Sequence, residues 1–304
     1  MTCQFEIFFK KFCKISPTPR SKEKKAQTMN KLILLYLVIF GSLTQAHTQD
    51  LNVSVSGNGP KVILIPGLAS SGEVWEETVS HLSKTYECHV LTLPGFGTNP
   101  AADMPEGFLQ TMENLISDYI LAQKEKVTLI GHSLGGFISL RLSRSLPDRI
   151  QKAIIVDSFP FYSAAFNPAA TEENMVEMAN QMKQLMLSQS PEQYRAQQKS
   201  SMPMMTINAE KLPIAVEWSM QSDRSTTAEA FYELMTTDFR DELVEVKTPI
   251  LVLGAWASGK NYGLTEESVK KTFADQYSLA ENVQIEIAPT AHHFIMWDNP
   301  EWFM

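Results

Sequence analysis

The run Gly131-His132-Ser133-Leu134-Gly135-Gly136 follows the apolar stretch Val127-Thr128-Leu129-Ile130 and precedes the helix-forming stretch Phe137-Ile138-Ser139-Leu140-Arg141-Leu142. It is a G-x-S-x-G pattern set between a strand and a helix. The bare spacing is weak, because a loop can match it by coincidence; the strand-turn-helix context gives it chemical meaning. A serine in so tight a turn is held in a strained backbone conformation. The flanking glycines leave room where a Cβ would clash. The turn presents a hydroxyl at the carboxyl end of a strand, above the N-terminus of a helix. That positive end favours the negative charge of an acyl-transfer intermediate. Ser133 is therefore the candidate nucleophile, and the Leu134 N–H, by the geometry of the same turn, is a candidate oxyanion donor.

Other chemistries find less support. No cluster of His, Cys and carboxylates has metal-ligand spacing, and His292-His293 are adjacent rather than one helical turn apart, so no metal is expected. Gly95-Phe96-Gly97 is too short to count as a dinucleotide fingerprint, and no other cofactor motif appears. Cys88, in a strand-like run, reads as a buried apolar residue rather than a nucleophile.

The elements that must position the serine alternate along the chain. Strand-like runs fall at Leu51–Ser56, Lys61–Ile65, His89–Leu93, Val127–His132, Ala153–Val156, Ile250–Gly254 and Val283–Ile287. Helical patterns lie between them at Glu73–Ser83, Phe108–Ala122, Phe137 to about Ser145, and Thr265–Thr272. Continuous apolar strands alternating with helices predict an α/β fold with a mostly parallel twisted sheet, covered by helices on both faces. The chain ends at Trp302-Phe303-Met304, inside an expected last helix.

Between Ser158 and Lys247 the strand runs vanish. This interval carries nine of the 15 methionines, and Met175, Met178, Met182 and Met186 recur at helical spacing. Two readings stand. The stripe is ordinary helix core, or Met178 and Met182 belong to an adaptable apolar roof over a binding cleft.

The first 46 residues stand apart from the fold. Met29-Asn30-Lys31 precedes the apolar run Leu32–Phe40 and the small residues Gly41–Ala46, the pattern of a signal peptide over 29–46 with cleavage after Ala46. Residues 1–28 read as a gene-model extension. The apolar run is short for a membrane span of roughly 20 residues, although an uncleaved anchor is the alternative. Export, periplasmic or secreted, is the expectation, with no stable membrane span after cleavage. Eight of the 26 basic residues but two of the 34 acidic ones lie in 1–46, so the remainder carries 18 bases against 32 acids, a net charge of −14. The charge disfavours a nucleic-acid or anionic-membrane partner. Cys3 and Cys13 also leave, and Cys88 alone cannot form an internal disulfide.

The order of these parts resembles the α/β-hydrolase superfamily over residues 51–304, as do the turn Pro94-Gly95-Phe96-Gly97 and the ending Ala291-His292-His293-Phe294-Ile295-Met296-Trp297-Asp298-Asn299-Pro300. The resemblance implies a core of residues 47–157 and 248–304. It implies a helical cap, 158–247, between that family's sixth and seventh strands. It assigns the general base to His293, just before Phe294, with His292 as the register alternative. It places the second oxyanion donor at Leu68 N–H, in Pro66-Gly67-Leu68-Ala69, where relatives often carry His-Gly. After the seventh strand, where an acid is common, this chain has Gly254-Ala255-Trp256-Ala257 and no carboxylate. Asp157, at the end of the sixth strand, is the candidate acid. Asp238, Asp241 and a Ser–His dyad remain alternatives. Trp256 is a candidate pocket residue.

The expectation is a serine hydrolase for small to medium carboxylic esters or related acyl compounds with an apolar portion, needing no cofactor and acting as a monomer or weak dimer. A ligand-binding member of the fold with little turnover is one alternative. Cofactor-free haloperoxidase-like chemistry or carbon–carbon bond hydrolysis is another. Fold alone does not choose between them.

Overall fold

A computed structural model of the chain describes residues 51–304, and the expected leader lies outside them. The seven strands are β1 (Asn52–Ser56), β2 (Lys61–Ile65), β3 (Glu87–Thr92), β4 (Val127–His132), β5 (Ile150–Val156), β6 (Ile250–Gly254) and β7 (Val283–Ile287). They form one sheet in the order β1-β3-β2-β4-β5-β6-β7. The β1 edge strand pairs antiparallel with β3, and every other pairing is parallel. The polar alternation of β1 suits an edge. The continuous apolar runs of β2 and β4 suit strands buried on both faces.

Side chains from one strand serve two cores because successive residues point to opposite faces. Ile63 and Ile65 join one cluster with Leu129, Ile155 and the helices α2 (Phe108–Leu121) and α3 (Leu134–Ser145). Val62 and Leu64 join the other with Ile130, Val156, Trp75 and Trp297. Helix α1 (Glu76–Leu82) follows a 3-10 turn at Gly72–Trp75. Cys88 is a fully buried free thiol.

Five helices intervene between β5 and β6: α4 (Tyr162–Phe166), α5 (Glu172–Ser188), α6 (Pro191–Met205), α7 (Leu212–Gln221) and α8 (Arg224–Thr236). The two ends of this insertion meet, because the Phe239 N–H donates to Pro160 O at 2.9 Å. Helix α9 (Glu266–Gln276) then precedes β7, and the short helices α10 (Ile295–Asp298) and α11 (Pro300–Phe303) follow it. No helix among the described residues is long and apolar enough to cross a membrane.

The inserted helices are tied to the core at defined polar points. Gly107, at φ +87°, precedes α2 and has no side chain to cap it. Glu233 of α8 does so from a distance, accepting from the Phe108 and Leu109 N–H groups at 2.7 and 2.8 Å. Its place is the positive end of the helix, where a carboxylate is favoured. The turn Pro94–Gly97 holds the start of α8: Gly95, at φ +83°, accepts from Asp223 N–H at 2.7 Å, and a Cβ there would come within 2.6 Å of Thr226.

Burial pushes the Glu233 carboxyl above its ordinary range, against the two amides that lower it. A group whose pKa is raised on folding favours the folded state below its unfolded value, and that contribution is lost as pH rises through the folded value. Glu233→Gln does not titrate. Urea unfolding of both proteins across acid to neutral pH should show the wild type losing ground to the variant as pH rises above about 4.3. A wild type that instead gains on the variant with rising pH would contradict this sign.

Candidate functional site

Ser133 sits between the last residue of β4 and the first of α3, with φ +52° and ψ −120°. The glycines around it are required by close approach. A Cβ on Gly131 would meet Gly135 O at 2.2 Å, and one on Gly135 would meet Ile65 O at 2.4 Å. The strained serine is anchored by its own amide, which donates to Val156 O of β5 at 2.9 Å. Its Oγ makes no hydrogen bond to any described residue and faces the cavity described below. In empty sites the contact between nucleophile and base is commonly long and tightens with substrate.

The loop after β2 runs beside this turn: a Cβ on Gly67 would lie 3.2 Å from Ser133 Cβ. The next amide, Leu68 N–H, donates to no carbonyl or side chain among the described residues. Leu134 N–H, at the first position of α3, has no intrahelical partner either. Two unspent amides therefore flank the serine, as an oxyanion site needs.

Asp157 follows β5 at φ +46°. Its Oδ2 accepts the His293 Nδ1–H at 2.6 Å, and its Oδ1 accepts the Ala255 N–H at 2.8 Å. The loop after β6 thus supplies an amide where sequence comparison looked for an acid. With Nδ1 committed to the carboxylate, Nε2 is the ring nitrogen left to take a proton. His292 turns away, its N–H donating to Asp298 Oδ2 at 2.9 Å. Asp238 is paired with Arg240, and Asp241 opens a 3-10 turn; neither meets a histidine.

His132 is enclosed beside Ser133. Its Nε2–H donates to the His293 carbonyl at 3.0 Å, and its ring centroid lies 4.5 Å from that of His293. Burial, and next the neighbouring His293, hold its pKa well below the ordinary histidine value, so it stays neutral.

Ser133, Asp157, His293, Leu68 and Trp256 line one cavity of about 460 Å³. The inserted helices supply Met186, Tyr194, Met202, Met205 and Phe231 to its wall. Met178 and Met182 do not roof it, contrary to the expectation from spacing. They are 49% and 42% exposed. Only one face of α5 is covered, where Met175 and Ala179 pack against Phe161, Ala164 and Met235. Spacing of three and four residues is shared by neighbouring stripes of a helix and does not say which stripe is covered.

Asp298 is a site residue that sequence reasoning passed over. It accepts from the N–H groups of His292 and Ile207 at 2.9 and 3.1 Å and from the Thr206 hydroxyl. It fixes the loop bearing His293 and the end of α6 together. Its position within Trp297-Asp298-Asn299-Pro300 was visible; its role needed the fold.

Among the described residues no group of three or more His, Cys, Asp or Glu is placed to hold a metal. The arrangement is suited to acyl transfer: a presented hydroxyl, an imidazole oriented by a carboxylate, and two free amides.

Comparison with known proteins bears on the family and the fold. The model of the alpha/beta hydrolase family matches residues 62–304. A pimeloyl-[acyl-carrier protein] methyl ester esterase of Vibrio parahaemolyticus is 26% identical over 246 residues, covering 81% of this chain and 92% of that protein. Among solved structures, a hydrolase from Oleispira antarctica superposes with a TM-score of 0.68 at 17% identity, over 84% of this chain and 93% of its own. The enol-lactonase from Burkholderia xenovorans does so with a TM-score of 0.65 at 17% identity, over 83% and 93%. The two structures bear on the fold alone.

Asp157→Asn keeps an acceptor for Ala255 N–H but loses the charge that orients His293. The fold should survive, and turnover of an activated ester should fall by up to about 10⁴. Near-normal rates would remove Asp157 from the site. Met178→Gln and Met182→Gln, on an uncovered face, should change stability by less than about 0.5 kcal/mol and leave acyl-chain preference unchanged in an ester series.

Proposed function

The chain belongs to the alpha/beta hydrolase family, and we propose that it is a serine ester hydrolase acting on small to medium carboxylic esters or related acyl compounds. Ser133 Oγ attacks the acyl carbon while His293 Nε2 takes its proton. The oxyanion so formed accepts from Leu68 and Leu134 N–H. Collapse expels the alcohol, which leaves with the proton from Nε2. Water then attacks the acyl-enzyme, giving its proton to Nε2 and releasing the acid and free Ser133. Asp157 keeps the imidazole in the required tautomer and stabilises its cation.

The observation that carries this reading is the 2.6 Å bond from His293 to Asp157 on the cavity into which Ser133 projects. The lack of an acid after β6 was the feature favouring a ligand-binding member with little turnover. Asp157 reaches that place from β5 and weakens that alternative. The esterase named among the relatives supports ester hydrolysis, and the apolar wall supports a substrate with an apolar portion. We further propose export through residues 29–46, tested by the N-terminal sequence of the mature protein.

Fluorophosphonate labelling of the full chain, read by peptide mass spectrometry, tests the reaction class. The expected result is a rapid adduct on Ser133 that Ser133→Ala abolishes and His293→Ala slows by orders of magnitude. A folded protein that takes no label would overturn the reading.

A further inference from the structure

Among the described residues the cavity over Ser133 is lined by no lysine, arginine or glutamate, and the one carboxylate on it, Asp157, is engaged by His293 and Ala255. Half of its ten hydroxyls are committed, Ser70 to Leu68 O among them, while those of Ser133, Ser158 and Ser258, on the loops that follow the strands, are not. Ser201 donates to Gln198 O, Ser219 to Ala215 O, Thr227 to Asp223 O and Thr272 to Ser268 O. These protons serve helix carbonyls and are not free for a ligand.

Tyr162 and Tyr194 are different. Both line the cavity, and neither hydroxyl bonds to any described residue. Both rings are fixed. Tyr162 packs against Phe166 and Phe231, with centroids 5.1 and 5.8 Å away. Tyr194 is 3% exposed, and the Arg224 guanidinium lies 4.6 Å from its ring centre. Burial raises both phenol pKa values, so each hydroxyl keeps its proton and is a donor. Neither phenol oxygen is fully enclosed, so each is open to a partner that enters the cavity. Here two pre-positioned donors point into the space that a substrate fills.

We propose that Tyr162 and Tyr194 are specificity-determining donors that bind an uncharged oxygen of the substrate remote from the scissile bond. The preferred substrate is then a neutral ester carrying a second carbonyl, ether or hydroxyl oxygen. A plain hydrocarbon ester leaves the donors unpaired, which is how a site built to hydrogen-bond rejects an analogue lacking the group. A half-ester brings a carboxylate into an apolar cavity that offers no cation and already holds the charge of Asp157. The inference rests on the ester-hydrolase reading.

Three probes of matched length separate the cases: dimethyl adipate, methyl octanoate and monomethyl adipate. With the full chain, kcat/KM per ester group should be highest for dimethyl adipate, by about tenfold over methyl octanoate and by more over monomethyl adipate. Tyr162→Phe or Tyr194→Phe should each narrow the kcat/KM preference for dimethyl adipate over methyl octanoate about threefold, lowering the first and relieving the unpaired donor met by the second. The proposal is overturned if both variants keep the wild-type ratio, or if the wild type cleaves the half-ester as readily as the diester. It is also overturned if none of the three is cleaved while Ser133 still takes fluorophosphonate. Absence of both cleavage and labelling would instead sink the ester-hydrolase reading beneath it.

Discussion

Everything at the site depends on how closely α3 approaches the loop after β2. Hypothetical methyl groups on Gly131, Gly135 and Gly136 would meet neighbouring atoms at 2.2, 2.4 and 2.6 Å, drawn from α3 itself, from Ile65 and from Ser158. Three strand ends are thus brought together at distances that only glycine permits. The approach leaves Leu68 and Leu134 amides side by side and forces the backbone through the left-handed region. The non-glycine residues at positive φ among those described are Ala69, Ser133 and Asp157, each just past the carboxyl end of β2, β4 or β5. Such conformations cost of order 1–3 kcal/mol each and persist only where the surroundings over-determine them. Here the anchors are visible. Ser133 N–H is tied to Val156 O, and Asp157 N–H to Leu253 O at 2.7 Å. Ser133 and Asp157 each borrow rigidity from the next strand in the sheet.

That stepwise anchoring explains how an acid at the end of β5 can serve. A carboxylate belongs one strand from where it is commonly sought, yet its two oxygens reach both neighbours. Oδ1 takes the amide after β6, and Oδ2 takes the imidazole from the loop after β7. The segment beyond Asp157 is held in turn, because Tyr277 OH donates to Ser158 O at 2.8 Å and Gln276 bonds both the N–H and the O of Phe161. The aspartate therefore does not swing with the helices that follow it.

The sheet was legible because buried parallel strands leave continuous apolar runs, and the elbow because its glycines are needed by sterics that any sequence must obey. Helix ends moved by a few residues: α9 runs on to Gln276, and β5 begins at Ile150. Those ends depend on what packs beside them. The choice of His293 over His292 was open in the sequence, since adjacent histidines are chemically alike. It is decided by which ring meets Asp157 and which backbone meets Asp298. Met178 and Met182 failed as pocket residues for a related reason. Periodicity identifies a helix and its apolar side, but the partner that covers a stripe is a tertiary fact. Asp298 and the two phenols could not be read at all. Their roles lie in contacts or free valences that span the chain.

The electrostatics of the inserted helices follow from these ties. The wall over Ser133 is apolar, yet two carboxylates hold its surroundings to the core by backbone amides, Glu233 at α2 and Asp298 at the end of α6, while the Asp223 N–H donates to Gly95 O. Asp298 has a double duty, since one oxygen holds Ile207 while the other holds His292. The Phe294 N–H also donates to Met205 O at 3.0 Å. The end of α6 and the loop carrying His293 are thus a single hydrogen-bonded unit. A displacement of α6 large enough to open the wall would break the bonds of Ile207 and Thr206 to Asp298 and of Phe294 to Met205, at about 0.5–1.5 kcal/mol for each. Access to the cavity and alignment of His293 are therefore coupled by the same carboxylate.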